Sequence, residues 1–228
     1  MKKEKIGAVV VGAGASQRFG GTDKLLAPLA GKPVLAHTLA PFLELRALDS
    51  IVLVLSRRNI VAVKDMLAAR DWAERVTTCL GGKRRQDSVY AGFKKLGKMD
   101  WVVVHDAARP LVTTDMIERG LEAARETGAA IAAVPTTDTI KLADKSGTAR
   151  WTMPRDGLYN CQTPQVFLHD VLERAFEYVE QDVTDEAQLV ELTGGRVKLF
   201  TGACDNIKIT TPADLAIASA LIKLRKAR

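Results

Sequence analysis

Histidine and cysteine are scarce in this chain, three of each in 228 residues, and aromatic side chains make up only 5%. His37, His105 and His169 lie too far apart to suggest a zinc site. Cys79, Cys161 and Cys204 are odd in number and show neither metal-ligand spacing nor the pattern of a disulfide framework. A reducing, cytoplasmic setting is the expectation. So few aromatics leave little material for a base-stacking platform, and nucleic acid is not the expected partner despite a net charge of +6. The excess of cations is better suited to a small anionic ligand. No apolar run approaches the ~18 residues of a membrane span, so no membrane association is expected. The opening MKKEKIGAVVVGAG runs from charge through a short apolar stretch into glycines, which fits a first β-strand better than a signal peptide.

Two phosphate-binding fingerprints are also missing. The Walker loop needs a hydroxyl after Gly-Lys, but Pro33 follows Gly31-Lys32, and the pairs at Gly82 and Gly97 lack it too. The dinucleotide pattern is only partial. Gly12 and Gly14 match, but Gln17 takes the third glycine's place and no acidic residue follows Leu55 to hold a ribose.

What is present is an ordinary globular composition, 47% hydrophobic and 26% charged. Short β-rich runs at 6–11, 51–55, 75–80, 101–105, 129–134 and 196–201 alternate with helical patterns at 34–45, 60–69, 88–96, 115–126, 169–178 and 186–192. This alternation predicts one α/β domain over 1–228, a mostly parallel sheet with helices on both faces. Thr211, Pro212 and Asp214 signal the start of a last helix. The segment 136–166 breaks the rhythm. It has no clear helix and carries a hairpin tip, ADKSGTA, between short alternating flanks. An insert of this kind reads as a lid, an arm or a subunit contact.

Chemistry-bearing residues collect after successive strands. The first loop supplies small residues, among them Ala13 and Gly14, and two cations, Arg18 and Lys24. Backbone donors with fixed cations are what a triphosphate requires. GGKRRQDSV (81–89) again follows a strand with glycines and arginine and leads into a helix. HDAARP (105–110) sets Asp106 and Arg109 beyond the fourth strand, the zone where open α/β sheets bind ligands. His105 reads as a satisfied, partly buried histidine rather than a catalytic base. An Asp106–Arg109 structural ion pair is the alternative to a functional role.

The chain resembles the 2-C-methyl-D-erythritol 4-phosphate cytidylyltransferases. The resemblance rests on GGKRRQDSV, HDAARP, DTIK, QTPQVF, TDEA and NIKITTPADL, six motifs in order along nearly the whole chain. It implies a Rossmann-like nucleotidyltransferase sandwich with a protruding β-arm at about 136–166, paired through that arm into a homodimer. The reaction it implies takes CTP and methylerythritol phosphate to the CDP-alcohol and pyrophosphate, by in-line attack of the substrate phosphate on the α-phosphorus, with magnesium or another divalent cation held mainly by phosphates and water. Arg18, Lys24 and Lys208 would then stabilise the reacting phosphates. Ala13, Gly14, Gly82, Ser88 and Asp106 would hold the nucleotide, with Arg85 as support. Arg109, Thr139, Arg155, Thr163 and Thr184 would serve the polyol phosphate, Arg155 from the neighbouring subunit. The run TDKLLAPLAGKP equally resembles the molybdenum-cofactor guanylyltransferases, whose fold is related. A cytidylyltransferase for another polyol phosphate, such as ribitol 5-phosphate, is the nearest alternative. A non-catalytic scaffold would have no need of three converging cations.

Overall fold

The structure, a computed structural model, describes residues 3–14, 19 and 23–227. In chain order its elements are β1 (Ile6–Gly12), the two-residue strands β2 (Pro28–Leu29) and β3 (Lys32–Pro33), α1 (Val34–Glu44), β4 (Leu48–Leu55), α2 (Ile60–Ala68), β5 (Val76–Leu80), α3 (Arg85–Leu96), β6 (Trp101–Asp106), α4 (Thr114–Ala124) and β7 (Ala129–Pro135). The short strands β8 (Lys141–Ala143) and β9 (Ala149–Thr152) follow, then β10 (Tyr159–Leu168), α5 (His169–Tyr178), α6 (Glu186–Leu192), β11 (Lys198–Thr201) and α7 (Pro212–Lys226).

Seven strands form one sheet in the order β11-β7-β10-β6-β1-β4-β5. Four of its ladders are parallel, and β10 runs antiparallel to both β6 and β7. Because side chains alternate across a strand, Ala8 and Val10 face one core while Val9 faces the other. The first core takes Leu35, Leu39 and Phe42 of α1, Leu67 of α2 and Ile117 of α4; the second takes Val89 and Phe93 of α3, Leu172 of α5 and Leu189 of α6. Burial on both faces explains the nearly unbroken Val/Ile runs. Each such side chain withdrawn from water contributes roughly 2 kcal/mol. The α/β sandwich read from periodicity is the observed fold. The last helix begins as its residues signal, with the Thr211 amide donating to Asp214 Oδ2 at 2.8 Å. This helix lays Ala218 and Ile222 on a third, smaller core with Leu29, Val34, Leu111 and Ile209.

One boundary needs correction. The insert expected at 136–166 is an arm only in its first part. The β8–β9 hairpin turns through the expected tip, where Asp144 Oδ1 accepts from the Ser146 and Thr148 amides. Residues 159–168 instead form β10, in the middle of the main sheet. On the hairpin, Leu142 and Trp151 are 59% and 63% exposed.

Candidate active site

A cavity of about 570 Å³ opens where β1, β5 and β6 end. Ala13, Gly14, Lys24, Gly82, Asp106 and Lys208 are among its lining residues. The floor is tied together by main-chain bonds. Ala107 N–H donates to the Val11 carbonyl, Gly81 N–H to Leu55 and Ile209 N–H to Ala108, each within 2.8–2.9 Å. The glycine loop fits closely over the start of α3. A Cβ at Gly82 would lie 2.4 Å from that of Asp87, and one at Gly81 would lie 2.5 Å from that of Ala13. Ser88 is buried, and its hydroxyl accepts from Gly82 N–H at 3.2 Å and donates to the Arg84 carbonyl at 3.1 Å. It therefore shapes the loop while lining the cavity.

Asp106 is the electrostatic centre, with 9% of its side chain exposed. Arg85 directs Nε and Nη2, both at 3.3 Å, to Oδ1. Lys208 Nζ lies 2.9 Å and Arg109 Nε 3.5 Å from Oδ2. Burial alone would raise this carboxyl's pKa, but Arg85, Lys208 and Arg109 outweigh burial and hold it well below the usual carboxylate range. Arg85 also reaches Glu186, whose Oε2 accepts from Nη1 at 2.6 Å. Burial opposes the charge on Arg85, yet Glu186 and Asp106 keep it firmly protonated. Lys24 approaches from the other side and donates from Nζ to the Ile209 carbonyl at 3.0 Å. Two ammonium groups, those of Lys24 and Lys208, thus reach one cavity.

Beneath Asp106 lies a buried polar layer. Its backbone N–H donates to Thr163 Oγ1, which in turn meets His105 Nδ1, both at 3.0 Å. His105 Nε2 lies 3.2 Å from the Arg109 carbonyl. A carbonyl only accepts, so this pattern assigns the proton to Nε2 and leaves Nδ1 to accept from the threonine hydroxyl. Asn206 closes the layer. Its Nδ2 donates to the Thr163 carbonyl at 2.9 Å and to Gln162 Oε1 at 3.2 Å, and its own carbonyl accepts from Arg109 Nη1 at 2.7 Å.

Comparison with known proteins decides the family. The family model for 2-C-methyl-D-erythritol 4-phosphate cytidylyltransferase matches residues 6–224. The chain belongs to this family. A 2-C-methyl-D-erythritol 4-phosphate cytidylyltransferase of Dehalococcoides mccartyi (strain CBDB1) is 49% identical over 220 residues, 96% of this chain and 97% of that protein. The solved 4-diphosphocytidyl-2C-methyl-D-erythritol synthase of Anaerococcus prevotii superposes with a TM-score of 0.85 at 30% identity, covering 97% of this chain and all of that one. The Thermus thermophilus 2-C-methyl-D-erythritol 4-phosphate cytidylyltransferase gives a TM-score of 0.77 at 30% identity, covering 96% and 99%.

Within this cytidylyltransferase fold the expected site residues divide into groups. Ala13, Gly14, Lys24, Gly82, Arg85, Ser88, Asp106 and Lys208 meet at the cavity. Arg18 falls outside the described residues. Arg109 is not among the lining residues; its guanidinium is engaged by Asn206 and Asp106 and ties the HDAARP loop to NIKIT. Thr163 lies deeper than its expected place beside the substrate. The residue is 3% exposed and its hydroxyl is held between Asp106 and His105, under the floor of the cavity. Thr139 and Arg155 are exposed on the arm side, Arg155 Nη1 donating to the Thr137 carbonyl at 2.5 Å. Thr184 is exposed just before α6, bonded to Gln188. Glu186, Gln162 and Asn206 escaped the sequence reading. Only their places inside TDEA, QTPQVF and NIKIT pointed to them.

Asp106 is the one carboxylate among the described residues lining the cavity, and it faces three cations. That donor set offers no cage for a divalent ion, but it fits magnesium carried by phosphate oxygens and water. The His169, Asp170 and Glu173 cluster lies at the other end of β6, where the His169 amide bonds the Asp100 carbonyl.

His105 makes the floor sensitive to acid. Burial pushes its imidazole from 6.5 down to about 4, against the pull of Asp106. Between those values the unfolded chain binds the extra proton, so this stabilisation is complete above pH 6.5 and lost as the pH falls toward 4. The loss is on the order of 3 kcal/mol. The thermal midpoint should fall less steeply over that window in His105→Asn than in the wild type. Parallel curves would remove His105 as the source.

Proposed function

We propose that the protein transfers the cytidylyl group of CTP to 2-C-methyl-D-erythritol 4-phosphate and releases pyrophosphate. The observation that carries this reading is the meeting of Lys24 and Lys208 with the glycine loop and Asp106 at one cavity. The substrate phosphate is already an anion, so in-line attack on the α-phosphorus needs no general base. The difficulty is bringing two polyanions together, and catalysis is positioning plus charge neutralisation. Lys24 and Lys208 act as point charges on the reacting phosphates, the role that the resemblance also gives to Arg18. The backbone of Ala13, Gly14 and Gly82 cradles the nucleotide, with Asp106 toward the ribose. Magnesium, when bound, neutralises part of the triphosphate charge.

Arg155, Thr139 and Thr184 serve the methylerythritol phosphate. Arg155 does so in the site of a second copy, because the arm carries it away from its own cavity. The exposed Leu142 and Trp151 support a homodimer, since a two-stranded hairpin alone is marginal in water. Charge and composition fit a cytoplasmic enzyme. Arg155→Ala should raise KM for the polyol phosphate about tenfold or more and leave that for CTP nearly unchanged, because a bidentate phosphate grip is lost. An unaltered KM would exclude the shared site.

The deciding assay is pyrophosphate release from CTP with magnesium, comparing 2-C-methyl-D-erythritol 4-phosphate with ribitol 5-phosphate. Release with the first alone supports the proposal. Release with ribitol phosphate would move the substrate to another polyol.

A further inference from the structure

Glu186 has no part in the mechanism above, yet it is a fully buried ionisable group beside a cavity-lining arginine. Its side chain is fully buried, Oε2 accepts from Arg85 Nη1 at 2.6 Å, and Oε1 has no hydrogen-bond partner. A half-satisfied buried carboxylate calls for an explanation. The surroundings hold it in place. Asp185 caps α6 by accepting from the Gln188 amide at 2.9 Å, the Ala187 amide donates to Gln165 Oε1 at 3.1 Å, and Gln86 of α3 bonds the Val183 amide and the Gln181 carbonyl. The backbone on both sides of Glu186 is thus fixed, and its carboxylate meets one guanidinium.

That guanidinium belongs to a cavity-lining residue with 25% of its side chain exposed. Arg85 has five N–H donors in a rigid fork. Left unanchored, it would turn toward a bound polyphosphate and grip it. Such a grip is equally strong on CTP, on the transition state and on the departing pyrophosphate. It tightens binding without lowering the barrier and slows release.

We infer that Glu186 is a positioning residue for the transfer reaction, holding the outer edge of Arg85 so that its inner edge orients Asp106 and does not clamp the phosphates. The inference rests on the cytidylyltransferase reading for its effect on turnover, but its effect on anion binding does not. Burial raises the Glu186 pKa against the pull of Arg85, which means the fold tolerates the neutral form better than the charged one. A neutral isostere should therefore not weaken the protein. What it removes is the charge of the anchor, leaving a weaker, neutral hydrogen bond to Arg85.

The test is Glu186→Gln, read in three ways. Inorganic pyrophosphate, titrated by calorimetry, should bind threefold to tenfold more tightly than to the wild type. Turnover should fall about tenfold with no rise in the KM for CTP. The thermal midpoint should stay level or rise. In an Arg85→Gln background the same substitution should leave pyrophosphate affinity unchanged, because the two act as a unit. Unaltered pyrophosphate affinity in E186Q, or a KM and midpoint that worsen together, would overturn the assignment. So would an E186Q effect that persists without Arg85. If E186Q does not fold, Arg85→Lys carries the test, since a flexible ammonium lacks the rigid planar fork that holds both carboxylates in fixed geometry. It should also lower turnover without raising KM, and a raised KM with normal turnover would overturn the claim. Should the wild type release no pyrophosphate from CTP and methylerythritol phosphate, the reaction is wrong, while the pyrophosphate titration still decides the role of Glu186.

Discussion

Lys208→Ala is expected to lower turnover by roughly 10³-fold while the fold survives, the scale seen when a preorganised charge at a transition state is removed. The side chain is 39% exposed and, among the described residues, its one ion pair is with Asp106 Oδ2 at 2.9 Å. Asp106 keeps Arg85 and Arg109 after the loss, so no buried charge is stranded. The backbone around it is held independently, by Ile209 N–H on Ala108 and by Asn206 under Thr163. Stability should therefore change by no more than about 1 kcal/mol, as for an exposed pair. In the resting cluster the ammonium rests on a carboxylate. With three donors it can keep that bond and turn another toward a phosphate oxygen. Steady-state pyrophosphate release and a melting curve suffice to check this. Turnover within threefold of wild type would show that Lys208 does not act on the reacting phosphates.

Asp106→Ala should fail differently, in both stability and activity. Removing the shared carboxylate leaves Arg85, Arg109 and Lys208 facing one another at a mostly buried point. Breaking a buried pair from one side is destabilising by about 3–5 kcal/mol, which in a chain of this size lowers the thermal midpoint by roughly 10 °C. Glu186 offsets this only at Arg85, since it touches neither Arg109 nor Lys208. Asp106→Asn keeps the shape and should lie between the two. A midpoint unchanged in the alanine variant would mean that water or counterions, not Asp106, balance these cations. The contrast with Glu186 is instructive. One carboxylate is held by three cations from three separate segments, the other by a single arginine from one side. Only the first is expected to stabilise the fold in its charged form.

Periodicity located most of the frame. The helices over 169–178 and 186–192 and strands such as β1 and β6 stand within a residue of where the pattern put them. The miss was β10. Its inward positions carry Gln162, Thr163 and Gln165, with Pro164 among them, and such a run reads as turn or linker. These polar side chains are buried but bonded, Gln162 to Ala203 and Asn206, Thr163 to Asp106 and His105, Gln165 to Ala187. Partners that distant in sequence cannot be seen in a local pattern. Lys24 and Asp106 were legible because a cation beside a glycine-rich loop and a carboxylate at a strand end suit a phosphate ligand, and Lys208 only through the NIKIT motif of the resemblance. Thr163 was legible as a site residue but not as a buried one. Glu186, directly after the Asp185 cap, looks like a solvated first helical turn until Arg85 is brought beside it.

The central antiparallel strand also sets where the chain tolerates a change of length. Val166 packs into one core and Phe167 into the other. A single residue inserted within 165–168 would exchange those two faces and slip the strand against β6 and β7. The same insertion at the hairpin tip, near Gly147, would only lengthen an exposed turn. Relatives of this chain should therefore differ in hairpin length at 144–148 and hold constant the spacing from Tyr159 to Leu168. A library of one-residue insertions, scored for soluble expression, would map that boundary directly.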